Sequence, residues 1–120
     1  MDRLRDGFQA HLPVMESRRF AHPTEAAYAR LLEEHGIPWI YEPHTFPLEV
    51  DEEGRVVEAV TPDFYLPTVG LYVECTTTQP RLISRKRRKA RKLRRLYGAV
   101  VTLLERADLE RLLGRRPPAR

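Results

Sequence analysis

The sequence predicts an α/β domain with a central mixed sheet flanked by helices, on three observations. Its apolar periodicity runs helix, three strands, helix, strand, helix along the chain. A "DEEG" turn at residues 51–54 joins two of the strands. A long basic helix then separates two apolar strands, the arrangement that a parallel pair needs for its crossover. A hairpin feeding a β-α-β unit gives a sheet of mixed strand direction with helices on its faces.

The elements follow in order. "HPTEAAYARLLEEHG" is a helix: Pro23 suits its first position, Glu25 is placed to close a capping box, and Gly36 stops it. Ala26, Ala29, Leu31 and Leu32 give it an apolar surface. "IPWIYEP", "TFPLEV" and "VVEAV" read as strands, and "DFYL" continues or follows the third. "PTVG" turns the chain into the strand "LYVECTT". The basic helix ends at Gly98, "AVVTLLE" is an apolar strand, and "ADLERLL" is a short closing helix.

At 120 residues, one domain is expected over 21–114. A helical or flexible extension is expected over 1–20, and a flexible tail over 115–120. No apolar run approaches the ~20 residues of a membrane span, and the N-terminus lacks the apolar centre of a secretory signal. One cysteine forms no internal disulfide, so a reducing cytoplasm is the expected location. The absence of Asn, with only three lysines among 21 basic residues, points to a thermophile, although coding bias also enriches Arg.

The net charge of +4 hides an asymmetry. Residues 81–95, "RLISRKRRKARKLRR", carry 10 basic residues and no acid, which leaves 11 basic against 17 acidic residues elsewhere, a balance of −6. Charge runs are usually solvated faces. The density here, with no acid interleaved, favours a polyanionic partner, nucleic acid. Arg85, Arg87, Arg88, Lys89, Arg91, Lys92 and Arg95 are the expected phosphate contacts.

In "LYVECTT", Leu71, Val73 and Cys75 alternate with Tyr72, Glu74 and Thr76, so Glu74 and Thr76 share a face. Asp63 follows Pro62 where the neighbouring strand begins. Pairing through "PTVG" brings Asp63 and Glu74 together, and two close carboxylates repel unless a cation lies between them. Oxygen ligands of this kind suit Mg²⁺ or Mn²⁺. Taken singly, each acid reads as a turn cap or a solvated strand residue. His11, His22, His35 and His44 lack metal-ligand spacing, and Cys75 alternates into the core. Trp39 and Tyr41 are either core aromatics or a base-stacking surface, and Glu42 is a further acid near the pair.

Residues 22–105 resemble the PD-(D/E)XK nuclease superfamily, the restriction-endonuclease-like fold, through Pro62-Asp63, a ten-residue spacer and Glu74-Cys75-Thr76. Glu25 matches a helix glutamate found in many members, and the αβββαβ order matches the family core. The resemblance implies a metal-dependent nuclease with Asp63 and Glu74 as ligands of Mg²⁺ or Mn²⁺ and Glu25 assisting. No small-molecule organic cofactor is implied, and a homodimer would supply a second site. The chain departs from the family at Thr76, where a lysine is expected; threonine brings no positive charge.

Members of the family shift that lysine to a neighbouring element. On a helical wheel of residues 82–97, Ile83, Ala90, Leu93 and Tyr97 form one stripe, with Leu82 and Leu96 at its edge. Lys86 falls in the middle of the stripe and Lys89 at its border. Buried unpaired, Lys86 is costly. It either meets Asp63 and Glu74, in the role of the missing lysine, or packs its stem and sends its ammonium to water. Gln79 and Thr76 are auxiliary candidates, since a glutamine accompanies the motif in some branches. The competing expectation is an inactive nuclease-like fold that binds nucleic acid or a partner. A third is a domain that docks a larger protein through its basic helix.

Overall fold

A computed structural model describes residues 20–76 and 80–114. The tail expected over 115–120 and all but the last residue of the extension expected over 1–20 lie outside them.

Helix α1 (Pro23–Glu34) starts as its sequence dictates, with Pro23 in the first turn and His22 as an extended N-cap whose ring accepts from the Thr24 N–H. Glu25 does not close the capping box expected of it. Its Oε1 instead accepts from the N–H of Ala21, one residue before the cap, at 3.2 Å. Gly36, at φ +66°, ends the helix: its N–H bonds Glu33 O and the Ile37 N–H bonds Leu32 O, the paired C-terminal closure that favours glycine.

The strands form two ladders. Four strands make a mixed sheet in the order β1 (Ile40–Tyr41), β4 (Phe64–Leu66), β5 (Leu71–Cys75), β6 (Val101–Leu104). The first two pairings are antiparallel and β5–β6 is parallel. Strands β2 (Phe46–Val50) and β3 (Val56–Val60) pair only with each other. "DFYL" thus follows the third predicted strand after a break instead of continuing it. Pro62 has no N–H to give a ladder, which accounts for the interruption. At the break the Glu42 N–H donates to Asp63 O at 2.8 Å, extending the β1–β4 pairing by one residue, and the Thr45 and Thr61 hydroxyls, 2.7 Å apart, extend the β2–β3 hairpin. Glu42 sits at φ +44°, an uncommon conformation for a side chain of its size, and lets the chain turn at the break.

Helix α2 (Pro80–Tyr97) crosses from β5 to β6, and α3 (Arg106–Leu112) follows β6. The face of β5 carrying Val73 and Cys75 packs in one core with α1 (Ala26, Tyr28, Ala29, Leu32) and with Leu109 of α3. Phe64, fully buried, lies at its centre, 5.2 Å from the ring of Tyr28, 5.7 Å from Trp39 and 5.5 Å from Tyr41. Burial of one such side chain is worth roughly 1.5–3 kcal/mol. Helix α2 covers the opposite face through Leu93, also fully buried. The end of its predicted apolar stripe departs from expectation: Leu96 and Tyr97 are about half exposed. Tyr97 packs on Phe46 and donates its hydroxyl to Pro47 O at 2.6 Å, which turns the helix end toward the β2–β3 hairpin. The result is an α/β domain with a mixed sheet between helices.

Candidate active site

Phe64 pairs with Val73, so Asp63, one residue before it, stands opposite Glu74. The two acids are held crosswise by backbone groups. Asp63 Oδ2 accepts from the Cys75 N–H at 2.9 Å, and Glu74 Oε1 accepts from the Asp63 N–H at 3.1 Å. Across from them, on the second turn of α2, the Lys86 ammonium donates to Glu74 Oε2 at 3.0 Å. Of the two placements open to Lys86, the structure has the one directed at the acids, with contact to Glu74; its side chain is 32% exposed and that of Glu74 16%.

Glu25 is the third carboxylate. It is buried on α1, where Oε1 also accepts from the Tyr41 hydroxyl at 2.6 Å. Its charge reaches Asp63. Burial, followed by the charges of Glu74 and Glu25, raises the Asp63 carboxyl to about 8, against the opposing pull of the Cys75 N–H and Lys86. Burial and then the hydrogen bond to Glu25 push the Tyr41 phenol up. Burial and then Asp63 hold the Cys75 thiol well above its ordinary value, so it stays protonated as a core residue.

Thr76 stands at the expected lysine position, 1% exposed. Its N–H bonds Leu104 O at 2.8 Å, and its hydroxyl has no partner among the described residues. A lysine there would be enclosed, whereas Lys86 approaches Glu74 from the helix. Gln79 lies at 77–79, outside the described residues.

Among the described residues, no group of three or more His, Cys, Asp or Glu side chains forms a ready-made metal cage. The pair Asp63–Glu74 nevertheless fits a hard cation. Its donors are carboxylate oxygens, and a divalent cation offsets both the burial and the neighbouring negative charges that raise Asp63. Glu42 does not join the acids; it is exposed, and its backbone N–H serves the site instead. Trp39 is 2% exposed and donates to Glu33, and Tyr41 serves Glu25, so both are occupied within the fold.

The basic helix is partly neutralised by the protein's own acids. Arg88 meets Glu58 at 2.6 Å and Arg87 meets Glu105 at 2.6 Å. Lys92, half-buried, lies 3.4 Å from Glu58 and 3.7 Å from Glu49. Arg85, Lys89, Arg91 and Arg95 have no ion pair among the described residues. Glu58, Glu49 and Glu105 were missed as partners of the helix because they lie far from it in sequence. The one available signal was the −6 balance outside residues 81–95, which supplies acids to a basic neighbour.

No protein-family model, curated protein or solved structure matches this chain. No helix among the described residues is long and apolar enough to cross a membrane.

Proposed function

We propose that this chain is a metal-dependent nuclease with a restriction-endonuclease-like fold, hydrolysing phosphodiester bonds in DNA. The observation that carries the reading is the 3.0 Å contact between Lys86 and Glu74, which sets a positive charge beside the Asp63–Glu74 pair although position 76 is threonine. Asp63 and Glu74 would hold Mg²⁺ or Mn²⁺, with Glu25 tuning Asp63 through its charge. Such an ion lowers the pKa of a bound water and polarises the scissile phosphate. Lys86 supplies a fixed ammonium for the charge that develops on the phosphate. The cross-linked backbone of Asp63, Glu74 and Cys75 holds the carboxylates in place, so little reorganisation accompanies the reaction. The arginines of α2 that lack internal acids bind the DNA backbone without reading sequence.

Titration calorimetry tests the metal site. Mn²⁺ binds wild type, and Asp63→Asn abolishes the heat while melting cooperatively. Absence of Mn²⁺ binding, alone and with DNA, would contradict the reading.

A second reading has its own observation. Threonine at position 76 and the lack of a three-ligand cage among the described residues support an inactive nuclease-like fold that binds nucleic acid through α2. Tight, salt-sensitive DNA binding with no cleavage in Mg²⁺ or Mn²⁺ would favour it.

A further inference from the structure

The chain's three lysines, Lys86, Lys89 and Lys92, recur every third residue along α2. All three are half-buried, whereas every arginine of that helix is exposed. Lys86 and Lys92 each face a carboxylate, on Glu74 at 3.0 Å and on Glu58 at 3.4 Å. Lys89, between them, has no carboxylate within ion-pair distance among the described residues.

Lys89 lines a narrow cavity of about 30 Å³ between α2 and the segment that leads to Asp63. Glu74, Lys86 and Pro62 also line it, and Val60, Ala90 and Leu93 make it largely apolar. A space of this size admits about one water, so a phosphate-sized anion has room at its mouth and not inside it. A partly buried lysine with mostly apolar neighbours and no ion pair among the described residues is a place where an incoming anion gains a charge partner. Lysine suits the place, being a compact charge with three donors on a stem that tolerates partial burial.

We infer that Lys89, with Lys86, forms a subsite for a backbone phosphate of nucleic acid at the mouth of this cavity, next to the phosphate addressed by Asp63 and Glu74. The inference rests on the nuclease reading of that pair. It separates Lys89 from the exposed arginines: they hold the polyanion from outside, and Lys89 holds one phosphodiester at the cavity mouth.

Three lysines give three signals in the NMR spectrum of protein labelled with ¹³C at lysine Cε, each assigned with a Lys→Arg variant. The probe is a short DNA duplex, and then its single strand, added in EDTA so that no cleavage occurs. The Lys89 signal is expected to shift saturably and to return as salt is raised. Lys89→Gln is expected to weaken DNA binding about tenfold without changing the melting temperature. A Lys89 signal that stays fixed while DNA saturates the protein, or failure of either DNA form to bind, overturns the inference. Cleavage with Mg²⁺ is assayed separately. A shifting Lys89 signal in a protein that never cleaves keeps the phosphate subsite and removes the catalytic reading.

Discussion

Asp63 and Glu74 are tied crosswise through the backbone: Glu74 accepts from the N–H of Asp63, and Asp63 accepts from the N–H of Cys75, the residue after Glu74. Each carboxylate is therefore fixed by the strand that carries the other. This arrangement holds two carboxyl groups together in a largely buried place, and burial with the neighbouring charges of Glu74 and Glu25 keeps a proton on Asp63.

The first consequence is a pH dependence. The folded Asp63 keeps its proton to about pH 8, against an ordinary aspartate value of 3.8. Between those limits the folded state holds the extra proton. Its stability is therefore greatest at the acid end and falls as pH rises, by up to about 1.4 kcal/mol per pH unit. In metal-free buffer the melting temperature of wild type should drop from pH 5 to pH 8, with a flatter profile for Asp63→Asn. Mn²⁺ should restore wild type at the alkaline end. A wild-type profile as flat as that of Asp63→Asn would show that the acids are not strained.

Thr76 gives a second prediction. Its buried hydroxyl lacks a partner among the described residues, and desolvating such a group costs roughly 1–3 kcal/mol. Thr76→Val should be neutral or stabilise the fold by about 1 kcal/mol in denaturant unfolding, since an apolar group replaces the orphaned oxygen. Thr76→Lys should destabilise the protein and leave activity unimproved. A Thr76→Lys variant more active than wild type would mean that Lys86 does not fill the motif role.

The ion pairs of α2 predict unequal effects on DNA affinity. Arg85, Arg91 and Arg95 lack internal acids, so each alanine substitution should weaken binding and lower the slope of log K against log salt by about 0.9. Arg87, held by Glu105, should matter less. Glu58→Gln frees Arg88, leaves Lys92 with Glu49 alone at 3.7 Å, and should tighten binding several-fold. Fluorescence anisotropy across a salt series measures all five. Equal losses at Arg87 and Arg91 would show that the internal pairs dissolve when DNA arrives.

The parts of the fold that sequence makes legible are those set by local period. The order of helices and strands follows from spacing, and Gly36 and Gly98 stop their helices at positive φ. Strand alternation put Glu74 on the face that α2 covers, and the wheel put Lys86 in the stripe that packs there. The rest depends on partners distant in sequence. Nothing local marks Glu42 as the residue at φ +44° opposite Asp63, because a glutamate carries no turn signal. Glu25 read as a cap, since its partner Tyr41 lies 16 residues away on a strand. Arg88 read as a free cation because Glu58 is 30 residues away across the hairpin. Composition counts charges but cannot say which of them meet.

The central claim is that Lys86 supplies the positive charge that position 76 lacks, and cleavage of DNA tests it most directly. Purified wild type, Lys86→Ala and Asp63→Asn are incubated with plasmid and single-stranded DNA in Mg²⁺, in Mn²⁺ and in EDTA, with melting curves taken on the same samples. Wild type should cleave with either metal and not in EDTA. Asp63→Asn should be inactive, and Lys86→Ala should lose ~10²-fold or more, the scale of removing one charge-stabilising group, while it still unfolds cooperatively. Wild type that cleaves neither form of DNA with either metal, or Lys86→Ala that cleaves as fast as wild type, would contradict it.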